Sequence, residues 1–197
     1  EYSNSGPMTE HANAAIALRG RLDSFLRTIE RRALRMAQLA VGDLDDALEL
    51  VQDSMLGFVK SYSDKPESDW SPLYWRVLDS RIQDHHRRQT VRRRWRVFFT
   101  AQTDGDDEHD PLAEIADPVT SSPLDRMQGN EAGRAIDAAL RALPDHQRQA
   151  FLLRIWEGFD VAATAQVMGC SEGSVKTHCS RAVHALAQAL TLKGISL

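Results

Sequence analysis

Between Gln102 and about Ser122 the chain carries Gly105, Pro111 and Pro118 among acidic side chains, with Pro123 just beyond, and shows no apolar periodicity. Such a stretch buries too little apolar surface to offset the entropy of ordering it, so it reads as a linker and a domain boundary. A chain of 197 residues cut at that point becomes two small domains rather than one large one. Aromatics are few, Ala, Leu, Arg and Asp are plentiful, and no alternating run of Val, Ile, Thr and Tyr occurs, so both pieces are expected to be all-α. The expected organisation is an N-terminal extension over 1–17, a first domain over 18–98, a flexible acidic linker over 99–123 and a second domain over 124–197. Glu1–Pro7, ahead of Met8 and neither basic nor apolar, resemble a tag remnant.

In the first piece, Leu18, Leu22, Phe25, Leu26, Ile29, Ala33 and Leu34 recur at threes and fours, which predicts one or two amphipathic helices up to Ala40. Gly42 and Asp43 break the pattern, and Asp43 or Asp45 can cap a second helix that ends near Ser61. Ser61–Ser71, flanked and interrupted by Pro66 and Pro72, reads as a loop holding an exposed Trp70. A third helix from Leu73 to about Arg94 places Trp75, Leu78 and Ile82 on one face and arginines on another. Beyond the linker, periodicity resumes at Leu124 and runs through Met127, Ala135, Ile136 and Leu140 to a break at Leu143–Pro144.

The net charge of -4 conceals a segregation. From Arg76 to Arg96 eight arginines (76, 81, 87, 88, 92, 93, 94 and 96) face only Asp79 and Asp84, a local charge of +6. Asp104 to Asp117 then carries seven acids and no Lys or Arg. A basic helix followed by an acidic linker suits a nucleic-acid surface hidden from the overall balance, and the acids could fold back and screen it. No apolar run approaches the roughly 18 residues of a membrane span. Cys170 and Cys179 match neither a redox pair nor a zinc set, so two reduced thiols and no metal or other cofactor are expected.

Ala165, Gly169 and Val175 have the spacing of a helix-turn-helix: a small residue where two helices touch, a glycine for positive φ in the turn, and an apolar anchor on the second helix. Ser171 is a natural N-cap, and Val175, Cys179, Ala182, Leu186 and Leu190 then form one buried stripe. The opposite face presents Lys176, Thr177, Ser180 and Arg181, with Ser174 at the first turn, a polar and basic front suited to a DNA major groove.

Leu143-Pro144, Arg148, Leu153-Arg154, Glu157-Gly158-Phe159, Ala165, Met168-Gly169, Ser171, Gly173 to Thr177 and Arg181-Ala182 resemble the carboxy-terminal domain of extracytoplasmic-function RNA polymerase sigma factors. Asp46-Ala47, Leu50 to Asp53, Phe58, Tyr74, Arg76-Val77 and Asp84-His85 followed by Arg87-Arg88 are similar to that family's amino-terminal domain. The resemblance implies a cytoplasmic transcription initiation factor that catalyses nothing itself. Its first domain would bind core RNA polymerase and melt the minus-10 promoter element, and its second would read the minus-35 element. It also implies control by an anti-sigma factor. On that basis Asp46, Glu49, Gln52 and Asp53 are expected to dock polymerase, and Arg76, Arg81, Arg87 and Arg88 to follow promoter phosphates, with Trp70, Tyr74 or Trp75 available to stack on unpaired bases, although Tyr74 and Trp75 at such positions are more often core residues. The chain departs from the family pattern at Ser80, where Asn is frequent, at Leu73, where Trp is usual, and at Ala162-Ala163-Thr164, where Glu-Glu-Ile is common.

Two other readings compete. A helix-turn-helix regulator outside polymerase explains residues 131–190 but leaves the first domain without a role. Asp84-His85-His86 spells a metal-ligand triplet of a phosphoesterase class, yet it lies on an arginine-rich helix without a second acidic motif to complete a site.

Overall fold

The computed structural model describes residues 7–100 and 131–194. The expected linker from residue 101 on, the start of the second domain at Leu124–Met127 and the side chains of Arg93, Arg94 and Arg96 lie outside the described residues, while residues 99 and 100, expected in the linker, still belong to a helix. Three long helices form the N-terminal half: α1 (Pro7–Val41), α2 (Leu44–Tyr62) and α3 (Glu67–Thr100). The C-terminal half holds α4 (Glu131–Ala142), α5 (Asp145–Phe151) continuing into a π-helical turn (Leu152–Trp156), α6 (Val161–Met168) and α7 (Glu172–Thr191). Among the described residues there is no strand, and no helix is long and apolar enough to cross a membrane.

Local chemistry sets most boundaries. Gly42 turns the chain at φ 85°, and the Asp43 carboxylate accepts the Asp46 amide at 2.9 Å, capping α2. Stretch 18–40 is one unbroken helix, and α1 begins well before it, with residues 13–17 exposed. The expected loop over Ser61–Ser71 is largely helix, because α3 starts at Glu67 and not at Leu73. Pro72 sits in the second turn of α3, where it removes one backbone bond without ending the helix. Trp70 is 1% exposed, and its indole N–H donates to the Lys65 carbonyl at 2.9 Å. Tertiary packing supplies the reason: Trp70 lies against Phe25 and Phe58, with ring centroids 5.5 and 6.3 Å away. Burying one such ring outweighs a missing helix bond.

The N-terminal core draws Leu22, Ile29, Ala33 and Ala37 from α1, Ala47, Val51 and Phe58 from α2, and Tyr74, Trp75, Leu78 and Ile82 from α3. It continues without a gap into Ala150, Leu153, Ala165, Val167, Met168 and Val175 of the other half. A second cluster joins Leu140, Leu143, Leu152, Ala182 and Leu186 to Leu39 of α1. The seam between the halves is also polar. Arg32 reaches Glu157 at 2.9 Å, Arg35 pairs with Asp137, and the Arg141 guanidinium donates to the Gln38 carbonyl at 3.1 Å.

Candidate nucleic-acid and partner interfaces

The helix-turn-helix is built as the spacing predicts. Asp160 caps α6 by accepting the Ala163 amide at 2.7 Å, and Gly169 ends it at φ 62°. Ser171 caps α7 by accepting the Ser174 amide at 3.1 Å. Ala165 is buried where the two helices meet, and Val175 is fully enclosed. In the apolar stripe of α7, Ala182, Leu186 and Leu190 are buried and Cys179 is half-buried. Arg148, 6% exposed, braces the corner from within: it holds Asp145 at 2.6 Å and the Leu143 carbonyl at 3.2 Å, closing the end of α4.

Lys176, Thr177, Ser180 and Arg181 are all exposed on α7, opposite the stripe. Thr177 donates to its own helix at the Gly173 carbonyl, 2.9 Å away, which leaves its acceptor pairs outward. Ser174 is half-buried, and its hydroxyl lies 2.9 Å from that of Ser171, so it is committed to the cap. His184, which the sequence reading passed over, continues the same face one turn on and lies 3.0 Å from Gln188.

On α3 the four named arginines divide into two stripes about 120° apart, Arg76 with Arg87 and Arg81 with Arg88. Arg76, Arg87 and Arg88 are exposed. Arg87 also pairs with Asp84 at 2.6 Å. Arg81 is half-buried against α2, where a Cβ on Gly57 would stand 3.4 Å from its guanidinium. The expected stacking platform is absent at Trp70, Tyr74 and Trp75, all at most 1% exposed. Tyr74 packs edge-to-face on Trp75, Phe25 and Phe58, and Trp70 edge-to-face on Phe58. Burial, with Glu30 nearby, also drives the Tyr74 phenol pKa upward.

Glu49, Gln52 and Asp53 are exposed on one face of α2. Leu56 stands 71% exposed among them, an apolar centre that the charge pattern did not suggest. Asp46 lies at the flank, half-buried, 3.5 Å from the His85 imidazole of α3. The triplet Asp84-His85-His86 diverges: Asp84 goes to Arg87, His85 to Asp46 and Gln89, and His86 turns toward the seam.

Residues 133–186 match the family described as Sigma-70, region 4. The ECF RNA polymerase sigma factor SigM of Mycobacterium tuberculosis is 30% identical over 172 residues, 85% of this chain and 76% of the relative. BldN of Streptomyces coelicolor, also an ECF RNA polymerase sigma factor, is 40% identical over 75 residues, 38% of this chain and 28% of its own. Among solved structures, the sigma factor RpoE of Bartonella quintana, crystallised with the anti-sigma factor NepR, shares the fold at a TM-score of 0.61 and 22% identity, covering 85% of this chain and 97% of RpoE. The identity to SigM runs through both halves, so the chain belongs to the ECF RNA polymerase sigma factors.

Proposed function

We propose that the chain works in the cytoplasm as a transcription initiation factor, acting by binding and catalysing no reaction of its own. In this reading α1–α3 form the unit that grips core RNA polymerase and the minus-10 element, and α4–α7 the unit that reads the minus-35 element. The observation that carries it is the open polar front of α7, set on a capped helix-turn-helix, in the same chain as a basic α3. Lys176, Thr177, Ser180 and Arg181 meet base edges and phosphates, while Ser174 supports the turn. Arg76, Arg87 and Arg88 follow the backbone, and Arg81 fixes α3 on α2. Glu49, Gln52 and Asp53 around Leu56 dock polymerase, with Asp46 at the rim. An anti-sigma protein is the expected inhibitor, since RpoE of similar fold was crystallised with one.

Transcription by core polymerase on a library of promoter fragments tests the reading. Start sites that appear only when the chain is added support it. Binding to DNA without any effect of core polymerase would instead favour a stand-alone regulator.

A further inference from the structure

The seam holds a cavity of about 200 Å³ between α1, α3 and α5. Met36 and Ala40 give it an apolar floor, and Asp79 and His86 of α3 face His146 and Gln149 of α5 across it. Its polar groups are poorly matched. The Asp79 carboxylate accepts from Gln83 of its own helix at 2.7 Å, but Gln149 Nε2, which approaches from the other half, makes no hydrogen bond of normal geometry. His86 Nε2 is likewise buried without a partner. Arg148, the fixed cation of the lining, is spent on Asp145 and on the end of α4. His146 packs at 5.6 Å on His178 of α7, whose Nδ1 is also buried and unpaired. An ionised Asp79 is therefore half-buried without a permanent countercharge.

We propose that the seam is a proton-sensitive latch: the halves close over Asp79 when its carboxyl is protonated, and its ionisation drives them apart. Burial raises the Asp79 pKa from 3.8 to about 6, against the weaker opposing pull of Gln149, His146 and Gln83. A carboxyl pKa raised in the closed state stabilises closure at low pH, and that contribution is lost as pH rises through 6. His86 acts in the opposite sense, because burial lowers its pKa more than Asp145 raises it, so its protonation favours opening. His85 and Arg148 lower it further.

The consequence for promoter reading rests on the proposed function. Elements named 25 base pairs apart are separated by roughly 85 Å at 3.4 Å per pair. The closed chain is set by its long helices, and α1, at 35 residues, is about 52 Å long. The closed form cannot touch both elements, so it is an idle state that opens to work.

Small-angle scattering of the full chain between pH 5 and 7.5, beside Asp79→Asn, reads the closed-to-open ratio without DNA or polymerase. Failure of the latch is thus separable from failure of the proposed function. His86 is common to both proteins, so the ratio of one to the other isolates Asp79. That quotient, wild type over Asp79→Asn, should fall about tenfold from pH 5 to pH 7.5. Identical pH courses, or a chain closed throughout, overturn the latch. If Asp79→Asn fails to fold, carbon-13 titration of the Asp79 carboxyl in the wild-type chain decides: a midpoint between 3.8 and 6, as closure coupled to ionisation requires, supports the proposal, and one at either end overturns it.

Discussion

Arg32→Ala removes the cation that holds Glu157 in place. The Glu157 carboxylate is 3% exposed and lies 2.9 Å from the guanidinium, whereas Arg32 itself is 41% exposed. At that separation the Coulomb attraction is about 6 kcal/mol for an effective dielectric constant near 20. Most of it is offset by the desolvation of Glu157 and by solvent screening of the half-open Arg32. A net loss of about 2 kcal/mol remains, in the range of a hydrogen bond to a charged group.

The pH dependence separates this cause from simple loss of packing. Burial raises the Glu157 pKa above 4.5, and Arg32 is the charge that pulls it back down. Without Arg32 the carboxyl rises further. A raised acid stabilises the folded chain at low pH and withdraws that support as pH climbs through its folded value. The deficit of Arg32→Ala should therefore be full at pH 7.5 and shrink toward pH 4.5, where Glu157 takes up a proton. Urea unfolding of the full chain at the two pH values, followed by the fluorescence of its four tryptophans, measures it. A deficit under about 0.5 kcal/mol at pH 7.5, or one equal at both pH values, refutes the reasoning.

Lys176→Ala and Arg181→Ala should each weaken minus-35 binding by about 1 to 3 kcal/mol and leave polymerase binding intact, as a DNA titration and a core pull-down can show. Asp53→Lys should reduce capture by core polymerase without lowering the unfolding midpoint, because its neighbours Val51 and Ser54 carry the burial. Gly169→Ala should cost about 1 to 2 kcal/mol by urea titration. Nothing lies within 4 Å of the added Cβ, so that cost is backbone conformation alone. Trp70→Ala should cost about 3 to 5 kcal/mol in the same assay. A loss under 1 kcal/mol would return Trp70 to the surface and reopen it as a stacking residue.

What could be read in the sequence was whatever depends on near neighbours. The caps at Asp43 and Ser171, the left-handed Gly169 and the buried stripe of α7 all follow from residues within a turn or two of each other. Trp70 was misread for the converse reason, since two prolines argued for a loop and the rings of Phe25 and Phe58 that enclose it come from other helices. The π-helical turn carries no sequence signature of its own, yet it delivers Glu157 to Arg32. The exposed positions proposed on α7 and α2 could be placed because exposure on a helix follows from what the opposite face buries. Ser174 and Arg81 were not separated from them, since a cap bond and a glycine on a facing helix set their partial burial. The seam was beyond reach altogether. Periodicity puts Trp75 and Ile82 on one face of α3, but does not show whether their cover comes from their own half or the other. Asp79 looked like one acid diluting an arginine helix. Enclosed by α5, it is instead a charge whose burial costs free energy, and that cost exists only while the two halves are in contact.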